Sequence, residues 1–278
     1  MNKLLRNSKL LSPRRSLFPF PFIVTRCHST DLLENSISNK DNRLRLYEEK
    51  YSADMSTPFS PSVKAAMDDL AKQTREQFGN AHMMIPETQG KMLHQLVQLF
   101  SVSRILEIGT FTGFSTLAMA SALNDKNNKL ISLERDPKPQ ALAKEYIKRL
   151  GFEDRVDLRL GSAMESLSTL VEEMPQKQYD LIFIDADKKG YVPYYDFVMD
   201  NKLLSDRGII IADNVLFFGQ VHRIAGYEEK SIDEVSKNIR KKAKYAHEFN
   251  QHVLNDTRVQ VMVLPLFDGV SIITKKRV

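Results

Sequence analysis

The chain has 278 residues, 42% hydrophobic and 27% charged, with 11 glycines and 11 prolines; this is the make-up of a globular chain with one sizeable core, and it excludes collagen-like and low-complexity polymers. The single cysteine, Cys27, excludes an internal disulfide and a structural zinc site, and no apolar run approaches the roughly 20 residues that span a bilayer. The formal charge is +5, but Lys3, Arg6, Lys9, Arg14, Arg15 and Arg26 lie in the first thirty residues without one acid, which leaves 34 bases against 35 acids in the body and no excess with which to bind nucleic acid.

In chain order, residues 1–30 are acid-poor, carry scattered arginines and are rich in Ser, Leu and Phe. That is the pattern of a mitochondrial transit peptide; Pro13, Pro19, Pro21 and Arg26 interrupt the apolar stretch that a secretory signal needs. Residues 31–56 are polar, an arm with a short helix expected around 43–51, and residues 57–278 form one domain. Ser60-Pro61 reads as an N-cap followed by Pro at N1, opening a helix through Val63, Met67 and Leu70. A second helix carries Leu93, Leu96, Val97 and Phe100 at spacings of three and four, and both stripes are expected to face the core.

From there, strand-like runs at 104–109, 129–134, 156–160, 180–185 and 208–213 each precede a helical segment. Near-continuous apolar runs such as Leu181-Ile182-Phe183-Ile184 call for a parallel sheet covered by helices on both faces. The last two runs, 258–264 and 269–275, are too close for a parallel crossover and are expected to be antiparallel. The expected fold is thus α/β, a seven-stranded, mostly parallel sheet with an antiparallel last strand.

In such sheets ligands bind outside the carboxyl ends of the strands. The first run leads into Gly109-Thr110-Phe111-Thr112-Gly113-Phe114-Ser115, a tight turn that lets a ligand approach backbone N–H groups. Its glycine spacing is G-x-x-x-G rather than the G-x-G-x-x-G of nicotinamide enzymes. Glu107 at the end of that run suits a cationic ligand, and Glu134 at the end of the next suits the two hydroxyls of a ribose. The fourth and fifth runs end in Asp185-Ala186-Asp187-Lys188 and Asp213-Asn214. Side by side, Asp185, Asp213 and Asn214 offer oxygens only, a set for Mg²⁺ first, with Ca²⁺ or Mn²⁺ as other hard ions. Lys188 is then a candidate general base, its ammonium disfavoured beside a divalent cation, and Asp187 a partner for a cationic amino group. A basic run at 237–244 reads as a solvated helix face.

These residues, with Leu106-Glu107-Ile108-Gly109 and Leu264-Pro265-Leu266-Phe267-Asp268-Gly269, together resemble the cation-dependent O-methyltransferases of the caffeoyl-CoA type, with catechol O-methyltransferases as more distant relatives. The resemblance spans about Tyr47 to the C-terminus. It implies a class I S-adenosylmethionine-dependent methyltransferase fold, Rossmann-like, and a homodimer. It also implies cofactor contacts at Ile85, Glu107, Gly109, Thr110, Ser115, Glu134, Ala163 and Asp187, a metal on Asp185, Asp213 and Asn214, and Lys188 and Asp185 as catalytic residues. Ser115 would take the methionine carboxylate and Ala163 the neighbourhood of the adenine. The implied acceptor is a small vicinal dihydroxy aromatic.

Two segments depart from the family pattern. Phe217 and Phe218 stand where plant members carry Trp-Asn, and Thr88-Gln89-Gly90-Lys91 replaces a segment with a second Gln. Both count against a CoA thioester, and Phe217 and Phe218 are candidates to flank the acceptor ring. A catalytically silent binding protein of the same fold and an RNA methyltransferase are the alternatives.

Overall fold

The computed structural model describes residues 39–227 and 235–276, so the leader expected at 1–30 lies outside the described residues. Its strands are β1 (Arg104–Ile108), β2 (Lys129–Glu134), β3 (Val156–Leu160), β4 (Tyr179–Ile184), β5 (Leu204–Ala212), β6 (Val259–Leu264) and β7 (Val270–Lys275). They form one sheet in the order β3-β2-β1-β4-β5-β7-β6. Only β7 runs against its neighbours, β5 and β6, because the short link between β6 and β7 permits a hairpin and nothing longer. This is the class I methyltransferase arrangement.

Two helical layers cover the sheet, and the two-residue period of the strands explains the core. Ile105, Leu181, Phe183, Ile209 and Ile211 face α2 (Pro61–Gln77), α3 (Glu87–Leu99), α4 (Phe114–Ala120) and α5 (Pro137–Arg149), meeting Leu70, Leu93, Leu117 and Tyr146. Leu106, Ile108, Ile182, Ile184 and Ile210 point the other way, against α6 (Ala163–Glu173), α7 (Tyr191–Asp200) and α9 (Lys237–Asn255), meeting Leu167, Val198 and Phe249. Full burial of each such side chain contributes about 1.5–3 kcal/mol. The short α8 (Val221–Ile224) leads toward α9. No described helix is long and apolar enough to cross a membrane.

Four details differ from the sequence expectation. The arm helix, α1, runs Asn39–Asp54 and so exceeds the stretch around 43–51; its end is pinned by Lys91, whose Nζ donates to the Ala53 carbonyl at 2.6 Å, a contact no local pattern encodes. Ser60 holds the cap position of α2 but makes no capping bond; its hydroxyl lies 3.4 Å from that of Ser62. Phe100 falls just past α3 and is 53% exposed, so Leu93 and Val97 bury that face without it. β5 begins at Leu204, earlier than the apolar run: Tyr179 pairs Leu204 and Leu181 pairs Ile209, an irregularity that absorbs the polar Ser205-Asp206-Arg207.

The chain lays down β1, β2 and β3 outward in one direction, then returns to place β4 on the other side of β1. The crevice outside the carboxyl ends of β1 and β4 is therefore the switch point where such sheets bind ligands.

Candidate active site

A cavity of about 420 Å³ opens there, and every candidate cofactor, metal, catalytic and acceptor residue lines it except Glu107. The turn after β1 is held tightly. Gly109 has φ 107°, and Gly113, with φ 92°, opens α4. Of the eight described non-glycine residues with positive φ, four, namely Phe111, Asn214, Phe217 and Phe218, line this cavity. Backbone strain gathers where the surroundings over-determine it, as at functional sites generally.

At one end, Glu134 projects from the end of β2. Its Oε2 accepts from Phe111 N at 2.7 Å, and its Oε1 from Arg135 N and Asp136 N, both at 2.9 Å. Three backbone donors thus fix a half-buried carboxylate that retains lone pairs for hydroxyl donors. Asp187 is set by the Tyr194 hydroxyl at 2.8 Å and Gly190 N at 3.1 Å. Ala163 starts α6, behind the cap Ser162, and Ile85 is buried on the opposite wall.

Glu107 sits one layer below. Strand alternation turns it toward α4, where its carboxylate is fully buried and accepts from Ser115 Oγ and Thr116 Oγ1 at 2.5 Å and from Ser132 Oγ at 2.6 Å. The Ser115 hydroxyl, which lines the cavity, spends its proton on this acid. Burial outweighs the three donors and raises the Glu107 pKa from 4.5 to about 7. The folded chain therefore keeps a proton that the unfolded chain releases between those values. Stability from this group is fully present below 4.5 and is lost as pH rises through about 7, by up to about 3 kcal/mol. Asp185, also raised to about 7 by burial and by Asp213, adds a contribution of the same sign. Thermal melts of the ligand-free protein are expected to fall in midpoint across this window, and Glu107→Gln to flatten the slope; an unchanged slope in the variant would show that Glu107 folds ionised.

At the other end, β4 and β5 pair from Ile184 to Ala212 and deliver Asp185 and Asp213 side by side. Asp213 is 1% exposed, with Oδ1 accepting from Asn214 N at 2.8 Å. Burial pushes its pKa upward, as it does that of Asp185. Lys188 lies 3.8 Å from Asp185 Oδ1 and donates to Asp213 O and Asn214 Oδ1, both at 3.2 Å, and to the Tyr191 hydroxyl. Burial lowers its pKa, against the opposing pull of the two aspartates. One buried and one partly buried carboxylate and one amide oxygen, with no third His, Cys, Asp or Glu gathered among the described residues, make an open, all-oxygen set. That donor chemistry fits a hard divalent cation with positions left for other ligands.

Phe217 and Phe218 meet edge to face at 4.8 Å over this end. The segment Leu264 to Gly269 clamps them: Asp268 Oδ1 accepts from Phe218 N at 2.6 Å, and Val215 N and Leu216 N donate to Gly269 O and Asp268 O at 3.0 and 2.9 Å. Phe217 also joins the small apolar cluster with Val221, Ala243 and Ala246, so it serves core and cavity together.

Sequence reasoning missed Tyr191 and named Gln89 only within a departing segment, with no role. Tyr191 is fully buried three residues after Lys188, and that spacing was its one signal; its hydroxyl meets Lys188 and lies 3.0 Å from Asp213 O. Gln89 is fully buried on the cavity wall beside Asp213 and favours that acid's ionised form, yet neither amide atom completes a hydrogen bond of normal geometry. Such an orphaned group marks a site shaped for a further ligand.

Known proteins share this architecture. The O-methyltransferase family profile matches residues 57–276. A catechol O-methyltransferase of Niastella koreensis is 34% identical over 227 residues, covering 80% of this chain and 93% of that one. A caffeoyl-CoA O-methyltransferase of Populus kitakamiensis is 29% identical over 213 residues, covering 76% and 87%. Among solved structures, an SAH-bound methyltransferase of Podospora anserina superposes with TM-score 0.74 at 30% identity over 86% of this chain and 97% of that one. An O-methyltransferase of Bacillus cereus in complex with SAH gives TM-score 0.67 at 28% identity over 83% and 97%. Sheet order, cavity and likeness agree: the chain belongs to the O-methyltransferase family, the S-adenosylmethionine-dependent enzymes of this fold.

Proposed function

We propose that this chain moves a methyl group from S-adenosylmethionine to one hydroxyl of a catechol-like acceptor, with a divalent cation, Mg²⁺ first, held by Asp185, Asp213 and Asn214. The observation that carries this is the meeting of the buried Asp213, the partly buried Asp185, an amide oxygen and the Lys188 Nζ at the paired ends of β4 and β5. The names of the relatives, catechol and caffeoyl-CoA O-methyltransferase, support the acceptor class.

Bound there, a divalent cation supplies the charge that favours an ionised acceptor hydroxyl. S-adenosylmethionine supplies the methyl: the O–CH₃ bond forms as the S–CH₃ bond breaks, and S-adenosylhomocysteine leaves. The residues do the rest. Lys188, its pKa lowered by burial, would act from its neutral amine form, taking the hydroxyl proton on the Nζ lone pair and becoming the ammonium. Tyr191 and Asn214 hold that nitrogen in place. Glu134 takes ribose hydroxyls, Asp187 the cofactor's amino group, and Phe217 and Phe218 flank the acceptor ring. Glu107 acts from below by fixing Ser115 and Ser132. Holding the reactants in line contributes several kcal/mol to rate, up to roughly 7–11 in favourable cases.

The full chain, given labelled S-adenosylmethionine and catechol, is expected to methylate with Mg²⁺ and to stop in EDTA. Equal transfer in both would refute the cation's part; cofactor binding by calorimetry with no transfer to any catechol would favour the silent-binding alternative. We further propose mitochondrial import through residues 1–30 and a homodimer, checked by imaging of the tagged full chain and by light scattering.

A further inference from the structure

A second cavity, of about 350 Å³, opens at the other end of the sheet, under the amino ends of β1, β2, β3 and β4. Tyr179 and Asp185 lie six residues apart in the chain, so about 20 Å of β4 separates the two cavities. The start of α9, which follows residues 228–234, lines the catalytic cavity and not this one. Methyl transfer makes no use of a cavity here.

Its floor is apolar: Ile131, Val156 and Tyr179 are buried, and Met174 closes it from the end of α6. Tyr179 points to a ligand. It is 4% exposed and lines the cavity, yet its hydroxyl makes no hydrogen bond with any described residue, whereas a buried phenol ordinarily finds a partner. Burial pushes its pKa up to about 12, so it stays a neutral donor, and Arg104, Arg159 and Asp157 are the charges it feels.

The charges around it are unequally engaged. Arg159 donates to Asp157 at 2.8 Å, Arg155 to the Leu123 carbonyl at 2.8 Å, and Lys129 to the Asp154 carbonyl. Arg104 and Lys177 line the cavity and make no side-chain hydrogen bond or ion pair among the described residues. The carboxylates of Glu153 and Asp154, also on the rim, lie within ion-pair reach of no described cation.

We propose that this cavity binds a small amphipathic carboxylate, with its apolar body on Ile131, Val156 and Met174 and its two oxygens between the Arg104 guanidinium and the Tyr179 hydroxyl. A planar fork and one hydroxyl donor match the two oxygens of a carboxylate. The two free acids on the rim repel a polyanion such as a nucleotide, and the arginines beside the hydroxyl disfavour a cation. The site is independent of the catechol reading and takes no part in the chemistry.

The test is calorimetry on the full chain with 2-naphthoate and with its neutral analogue 2-naphthamide, both under saturating S-adenosylhomocysteine. The wild type is expected to bind the acid more tightly than the amide by about fivefold, the scale of one hydrogen-bonded, partly exposed ion pair. Arg104→Met should abolish that preference and added salt should shrink it. Tyr179→Phe should weaken the acid by a similar factor while melting like the wild type, because the hydroxyl it loses has no partner in the free protein. No binding of the acid, or equal affinity for acid and amide, would overturn the proposal. So would acid binding that survives Arg104→Met and is lost in Phe218→Ala, which would put the probe in the catalytic cavity.

Discussion

Exchanging Asp213 for Asn is expected to cut methyl transfer by about a hundredfold or more, while the ligand-free protein stays as stable as the wild type or gains stability. Asp213 is 1% exposed, beside a partly exposed Asp185 whose pKa it helps to raise. Two like charges in one dry site work against folding and are kept because a cation needs them. Asparagine has the same shape and an oxygen to accept from Asn214 N, now bonded at 2.8 Å to Oδ1. It removes the repulsion with Asp185 and leaves Lys188 its 3.8 Å partner. The readouts are transfer at saturating Mg²⁺, metal affinity by titration, and melting in EDTA. Lost transfer with a lowered melting point would make Asp213 a structural residue instead.

Gly109→Ala is expected to cost about 3–5 kcal/mol and to lower the melting point by about 10 °C. Two causes act together. The residue has φ 107°, where a side chain is strained, and an added Cβ would collide with the Asp185 carbonyl oxygen and approach Ala186 N to 3.3 Å. Neither obstacle is a movable side chain. Gly109 N donates to Leu133 O at 3.0 Å and Asp185 N to Ile108 O at 2.9 Å, so both sides are anchored in the sheet. Whatever shifts must displace Asp185, and transfer should fall with stability. Gly151→Ala is the control: φ is 66° there but a Cβ meets nothing within 4 Å, so only the backbone cost of about 1 kcal/mol is expected. Equal losses in the two variants would mean that the close packing at Gly109 contributes nothing.

Much of the site was legible because its residues announce themselves locally. Strands buried on both faces carry continuous apolar runs, and ligand-facing residues follow directly at their ends, as Asp185, Asp213 and Asn214 do. The antiparallel β7 followed from loop length alone. Longer-range partners left no such mark. The C-terminal end of α1 is held by Lys91, 38 positions on from Ala53. β5 starts early because Tyr179 pairs with Leu204 across the sheet.

The sequence by itself determined the fold class, the order of elements and the strand-end residues Glu134, Asp185, Asp187, Lys188, Asp213 and Asn214 of the cavity, since each depends on periodicity, turn chemistry or spacing within one strand-to-helix unit, whereas Ile85 and Ala163 came only through the family resemblance. Only the tertiary structure decided which way those side chains act. It sets Glu107 below the cavity floor, because strand alternation turns it to α4 and three hydroxyls from two elements converge on it. It leaves Gln89 beside Asp213 without a completed bond and joins Tyr191 to Lys188. Burial and pairing between distant segments are properties of the packed chain, and no local pattern contains them.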